Sequence, residues 1–187
     1  MGPAFATIRE LVARHGRAYT IRPLPRGWWS REPQSCYANA LHAAIAWNWV
    51  YVEGFAIPKL GGLAVLHAWV TNPHNSGVAY DPTWRAGREY FGIPFRLDYV
   101  LRMCESTGHP GVLDIWELGW PLLRGDLGPS LAQRLGSSRD SIQFPLSVPE
   151  ITVDSRSFGK HQHSSRAIVC CPIRRIGETI VQVNPKA

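Results

Sequence analysis

Three residues of this 187-residue chain are of the right types to share one reaction: Cys36 in "QSCYANALHAA", His67 in "LAVLHAWVT" and Asp81 in "GVAYDPTW". A thiol is a good nucleophile only as its thiolate, and a helix N-terminus or an adjacent imidazolium favours that form at neutral pH. Cys36 stands where "RPLPRGWWSREP", rich in proline, glycine and arginine, gives way to apolar residues at helical spacing. Its thiol is therefore expected at a helix start. An imidazole beside it would take and return a proton, and a carboxylate on the other ring nitrogen would fix the tautomer. Taken singly, each residue has a structural reading: Cys36 as core filler, His67 as a buried and satisfied histidine, Asp81 as a turn starter before Pro82. Their placement favours the joint reading. His74 lies midway between His67 and Asp81, so two strands paired about it set the two side chains directly opposite each other, with Cβ atoms about 4.5 to 5.5 Å apart.

The elements needed to hold this trio are legible in outline. Residues 4–15 place Phe5, Ile8, Leu11 and Val12 on one side and stop at Gly16, which predicts an amphipathic helix. The proline-rich run from Arg22 to Pro33 predicts an irregular connection, and residues 35–47 predict a second helix with Cys36, Ala40, Ala43, Ala44 and Trp47 on one face. Then "WVYVEGFAI", "LAVLHAWVT" and "GVAYDPTW" predict an antiparallel meander of three strands. A third helix is expected over 97–104, while "VLDIWELGWPLL" fits a strand or a short helix equally well. Past Gly125 the chain turns polar, with strand character only in "AIVCCPI" and "ETIVQV". This division predicts a catalytic domain over 1–125 and a weakly patterned extension over 126–187.

Composition narrows the class. A hydrophobic content of 45% suits a folded globular chain, and no apolar run approaches the roughly 20 residues of a membrane helix. With no basic segment leading into an apolar stretch and a small-residue cleavage site at its start, the chain is expected to be soluble and cytoplasmic, with no membrane partner. The four cysteines, Cys36, Cys104, Cys170 and Cys171, lack metal-knuckle spacing and read as free thiols. His161 and His163 in "KHQHSS" read as a solvated loop, so neither metal nor cofactor is expected. The net charge of +6 admits a nucleic-acid partner, but the arginines are scattered rather than clustered, so that reading is not favoured.

Cysteine at a helix start in "SCYANA", then histidine in "HAWV", then aspartate in "YDPTW" resembles the core of the transglutaminase-like branch of the papain-like cysteine peptidases, over about residues 34–95. The resemblance implies an α+β domain with N-terminal helices packed on an antiparallel sheet and the nucleophile at a helix N-terminus. It implies Cys36 as nucleophile, His67 as base and then acid, and Asp81 as its orienting partner. It also draws Trp28, Trp29 and Gln34 into the substrate site as alternatives for the oxyanion, beside the backbone N–H of Cys36. Trp69 and Trp84, with Tyr37, Asn39 and Tyr51, are placed to line a cleft or to fill the core. The implied activity is hydrolysis or acyl transfer on an amide or isopeptide bond of a peptide or protein through a thioester. The alternatives are a non-catalytic binding or inhibitory protein on the same scaffold and a basic nucleic-acid-binding protein.

Overall fold

The computed structural model describes residues 4–28, 33–85, 87–115 and 118–125, together with two strands at 174–176 and 179–181. The chain divides into two compact units, residues 1–144 and 145–187. In the second, strands β6 (Arg174–Ile176) and β7 (Thr179–Val181) form an antiparallel pair. The segment "AIVCCPI", His161, His163, Cys170 and Cys171 lie outside the described residues.

The first unit is α+β. Helix α1 spans Ile8–His15, four residues later than the sequence pattern suggests, because Thr7 caps it. The Thr7 hydroxyl accepts from the Glu10 N–H, and the Glu10 carboxylate accepts from the Ala6 N–H. This reciprocal arrangement fixes the first turn. Helix α2 spans Cys36–Trp47 and ends at Asn48, whose left-handed backbone closes it. Helix α3 spans Leu97–Thr107 and ends at Gly108, also left-handed. The ambiguous segment is irregular through Ile115 and closes with the short helix α4, Pro121–Arg124. Among the described residues no helix is long and apolar enough to cross a membrane.

Three strands match the expected meander: β2 (Val50–Pro58), β3 (Val65–Asn72) and β4 (Asn75–Tyr80). Two more, β1 (Arg17–Arg22) and β5 (Gly87–Phe95), were not apparent from the sequence pattern. The antiparallel meander β2-β3-β4 is part of a closed five-stranded barrel in the order β1-β4-β3-β2-β5, and the sheet is not wholly antiparallel, since β1 and β4 pair in parallel. Each strand sends a side chain inside: Tyr19, Val52 and Ala56, Trp69, Ala79 and Tyr90 form the interior cluster. Their alternates Tyr51, Ala68, Val70, Ile93 and Phe95 face outward and pack under Leu11, Val12, Ala40, Ala43, Ala44 and Val100 of the helices. The period of two along each strand thus divides the core into a barrel interior and a helix-covered outer face.

The β3–β4 register corrects the sequence expectation. Asn72 pairs with Asn75 across the turn, but β4 then bulges and Val70 pairs with Tyr80, so His67 and Asp81 are not directly opposite. Continuing that register would bring Asp81 level with Trp69, two residues from His67. An even offset preserves the face.

Candidate active site

The trio meets at the mouth of the barrel. His67 shares the inward face of β3 with Trp69 but lies near the start of its strand, and Asp81 immediately follows β4. Both are buried, and His67 Nε2 lies 2.7 Å from Asp81 Oδ2. The thiol of Cys36, half-buried as the first residue of α2, is hydrogen-bonded to the same imidazole. With Nε2 engaged by Asp81, Nδ1 is the ring nitrogen left for the thiol. Burial works against the imidazolium, but its hydrogen bonding to Asp81 and Cys36 and the electrostatic attraction of both groups outweigh it and push the His67 pKa up to about 9. At neutral pH the imidazole of the site is therefore held in its charged form.

Asp81 is held by more than His67. Its Oδ1 accepts from the backbone N–H groups of Thr83 and Trp84, at 2.7 and 2.9 Å. Its Oδ2 accepts from the Tyr90 hydroxyl as well as from His67. Four donors on two oxygens leave the buried carboxylate fully satisfied as an anion. The turn after Asp81 is in turn tied to the helix that begins at Cys36, because Asn39, one turn along, donates to the Thr83 hydroxyl at 3.1 Å. Tyr90 comes from β5, the strand not anticipated, and no signal in "GREYFGIPF" marks it as a partner of Asp81.

The tryptophans and Gln34 fall into different places. Trp84 stacks flat on the His67 ring, with centroids 3.9 Å apart, and so forms the wall of the site. Trp69 does not line a cleft: it is fully buried in the barrel interior, edge-on to Tyr19 and Tyr90, because it lies one strand period deeper than His67. Trp28 stacks on Trp47 at 3.6 Å, at the opposite end of α2 from Cys36, which a rise of 1.5 Å per residue puts roughly 16 Å away. It is not part of the site. Trp29 lies outside the described residues. Gln34 is exposed two residues before Cys36 and has a left-handed backbone, φ 65°. Ser35 caps α2 without a side-chain hydrogen bond to the first turn, so its hydroxyl does not occupy the N–H groups that point out beside the thiol.

Behind the site, Glu53 is a buried carboxylate on the outer face of β2. It accepts from the Tyr51 hydroxyl at 2.5 Å and from the N–H groups of Val112 and Leu113 at 2.7 and 2.9 Å. Burial raises its pKa to about 7, partly offset by these donors. Tyr51, fully buried, is a support for this segment and not a cleft residue. Tyr37, next to Cys36, packs edge-on to His109. Comparison with protein-family models, with curated proteins and with solved structures finds no match.

Proposed function

We propose that this protein is a transglutaminase-like cysteine hydrolase that cleaves an amide bond through a thioester on Cys36. The observation that carries the reading is the single buried imidazole joined to a carboxylate on one side and to a thiol at a helix N-terminus on the other. The same α+β arrangement of helix N-terminus and sheet supports the papain-like assignment of the core.

The chemistry follows from the charges. The Cys36 thiolate adds to the substrate carbonyl, and the oxygen that becomes negative lies where the first N–H groups of α2 point, including that of Cys36. His67, as imidazolium, gives its Nδ1 proton to the departing amine, the C–N bond breaks, and an acyl-thioester remains. The imidazole, now neutral, takes a proton from water as that water attacks the thioester. The carboxylic acid leaves, and the thiolate and imidazolium are restored. Asp81 keeps the ring oriented and stabilises its positive charge in each half. Water rather than an amine is the acceptor in this reading.

Peptide mapping after sub-stoichiometric iodoacetamide tests this reading. Cys36 should be labelled ahead of Cys104, Cys170 and Cys171, and His67→Ala should slow its labelling at pH 7 by about tenfold or more, as the thiolate loses its counter-ion. An unchanged alkylation rate in a folded His67→Ala protein would remove the coupling between thiol and imidazole and with it the enzyme.

A further inference from the structure

The corner of the barrel beside Trp84 gathers exposed cations from the ends of two neighbouring strands. Pro58 at the end of β2 pairs with Gly87 at the start of β5, so Lys59, Arg85 and Arg88 come together where those two strands end. All three are exposed. Lys59 and Arg85 have no carboxylate partner among the described residues, and Arg88 has only the loose, solvent-exposed contact with Glu89 at 3.6 Å. Cations elsewhere are mostly engaged: Arg96 and Arg102 share Asp98, Arg17 bonds Tyr19 and Ser76, and Arg9 and Arg14 lie over aromatic rings. The hairpin leaving this corner presents Leu60, Leu63 and Val65, three of the five exposed large hydrophobic side chains among the described residues. Val65 is two residues from His67 on the same strand, and Arg85 follows the tryptophan stacked on the His67 ring. A chain seated over Cys36 and His67 on this side therefore runs past both the cations and the apolar tip.

We infer that Lys59, Arg85 and Arg88, with the Leu60–Val65 hairpin, form a subsite for an acidic polypeptide, so that the amide attacked by Cys36 lies in a segment carrying carboxylates and apolar side chains. This rests on the function proposed above and names its substrate class. A polypeptide is the ligand that offers an amide, carboxylates and apolar groups along one strand, and unpaired surface cations act mainly through association rate and salt dependence.

The test uses the full chain with Cys36→Ala, so that binding is read without turnover. The probes are a fluorescein-labelled heptapeptide Glu-Glu-Leu-Gln-Leu-Glu-Glu and the same peptide with every Glu replaced by Gln. At 25 mM salt the acidic peptide should bind about tenfold more tightly, and the preference should shrink to about twofold at 250 mM, where screening is short-ranged. Lys59→Glu with Arg85→Glu should abolish the preference while leaving the iodoacetamide reactivity of Cys36 unchanged in the otherwise wild-type protein. Equal binding of the two peptides, no binding of either, a preference that survives the double reversal, or tighter binding of an oligonucleotide or of phosphatidylserine vesicles would each overturn the subsite. The His67→Ala alkylation result stands apart from all of these, so a failure of the subsite and a failure of the catalytic reading are distinguishable.

Discussion

Asp81 shows how a small change in the surroundings of one residue would be felt at another. Tyr90 and His67 donate to the same oxygen, Oδ2, so each draws electron density that the other would otherwise use. Removing the Tyr90 hydroxyl leaves a more basic carboxylate, which holds the imidazolium more firmly. Tyr90→Phe is therefore expected to move the His67 titration above its value of about 9, read by NMR of labelled histidine rings. The lost hydrogen bond to a charged group should also cost about 1.5–3 kcal/mol of stability. A lower melting temperature with an unmoved histidine titration would make Tyr90 a packing residue only. The trio itself was legible because a helix-start cysteine and two strand residues of suitable type can be placed by periodicity. Tyr90 was not, since nothing in the local sequence says which distant hydroxyl a buried carboxylate will meet.

At the level of elements, the barrel closes through two glycines. Gly54 pairs with His67 on one side and Gly92 on the other. A Cβ at Gly54 would stand 2.2 Å from the Phe91 carbonyl oxygen, and one at Gly92 would stand 2.4 Å from the Glu53 carbonyl oxygen. Backbone cannot yield as a side-chain tip can, so Gly54→Ala and Gly92→Ala should each cost about 3 kcal/mol or more in chemical denaturation. Gly77→Ala, in open space on β4, is the control and should stay within about 1 kcal/mol. The missed strands have local explanations. In β5 the sequence "GREYFGIPF" holds two glycines, a proline and two charges, all poor strand signals. In β1 the six residues "RAYTIR" are short and bounded by arginines. Both become strands because barrel closure offers their backbones partners on either side.

The whole molecule should lose stability as pH rises, in two stages set by buried groups. Glu53 is raised from 4.5 to about 7, so the folded state keeps a proton that the unfolded chain gives up, and stability falls between those values. His67 is raised from 6.5 to about 9, so its contribution is complete below pH 6.5 and lost as pH rises through 9. Each shift corresponds to about 3 kcal/mol at 1.36 kcal/mol per unit. Denaturation followed from pH 4.5 to 9 should show Glu53→Gln flattening the lower part of the curve and His67→Gln the upper part. A wild-type profile that rises across this range would contradict both assignments.

The sequence by itself determined which residues have reactive side chains, that Cys36 begins a helix, and that His67 and Asp81 sit on or beside strands facing one way. Those are consequences of composition, capping and the period of two, all local. It did not determine the register, since a bulge in β4 costs little locally and is set by what β4 meets on its other edge, namely β1. It did not separate Trp84, which walls the site, from Trp69 and Trp28, which do not. An indole buries well in any of the three places, and only the closed barrel and the seating of α2 decide which ring comes to lie on His67.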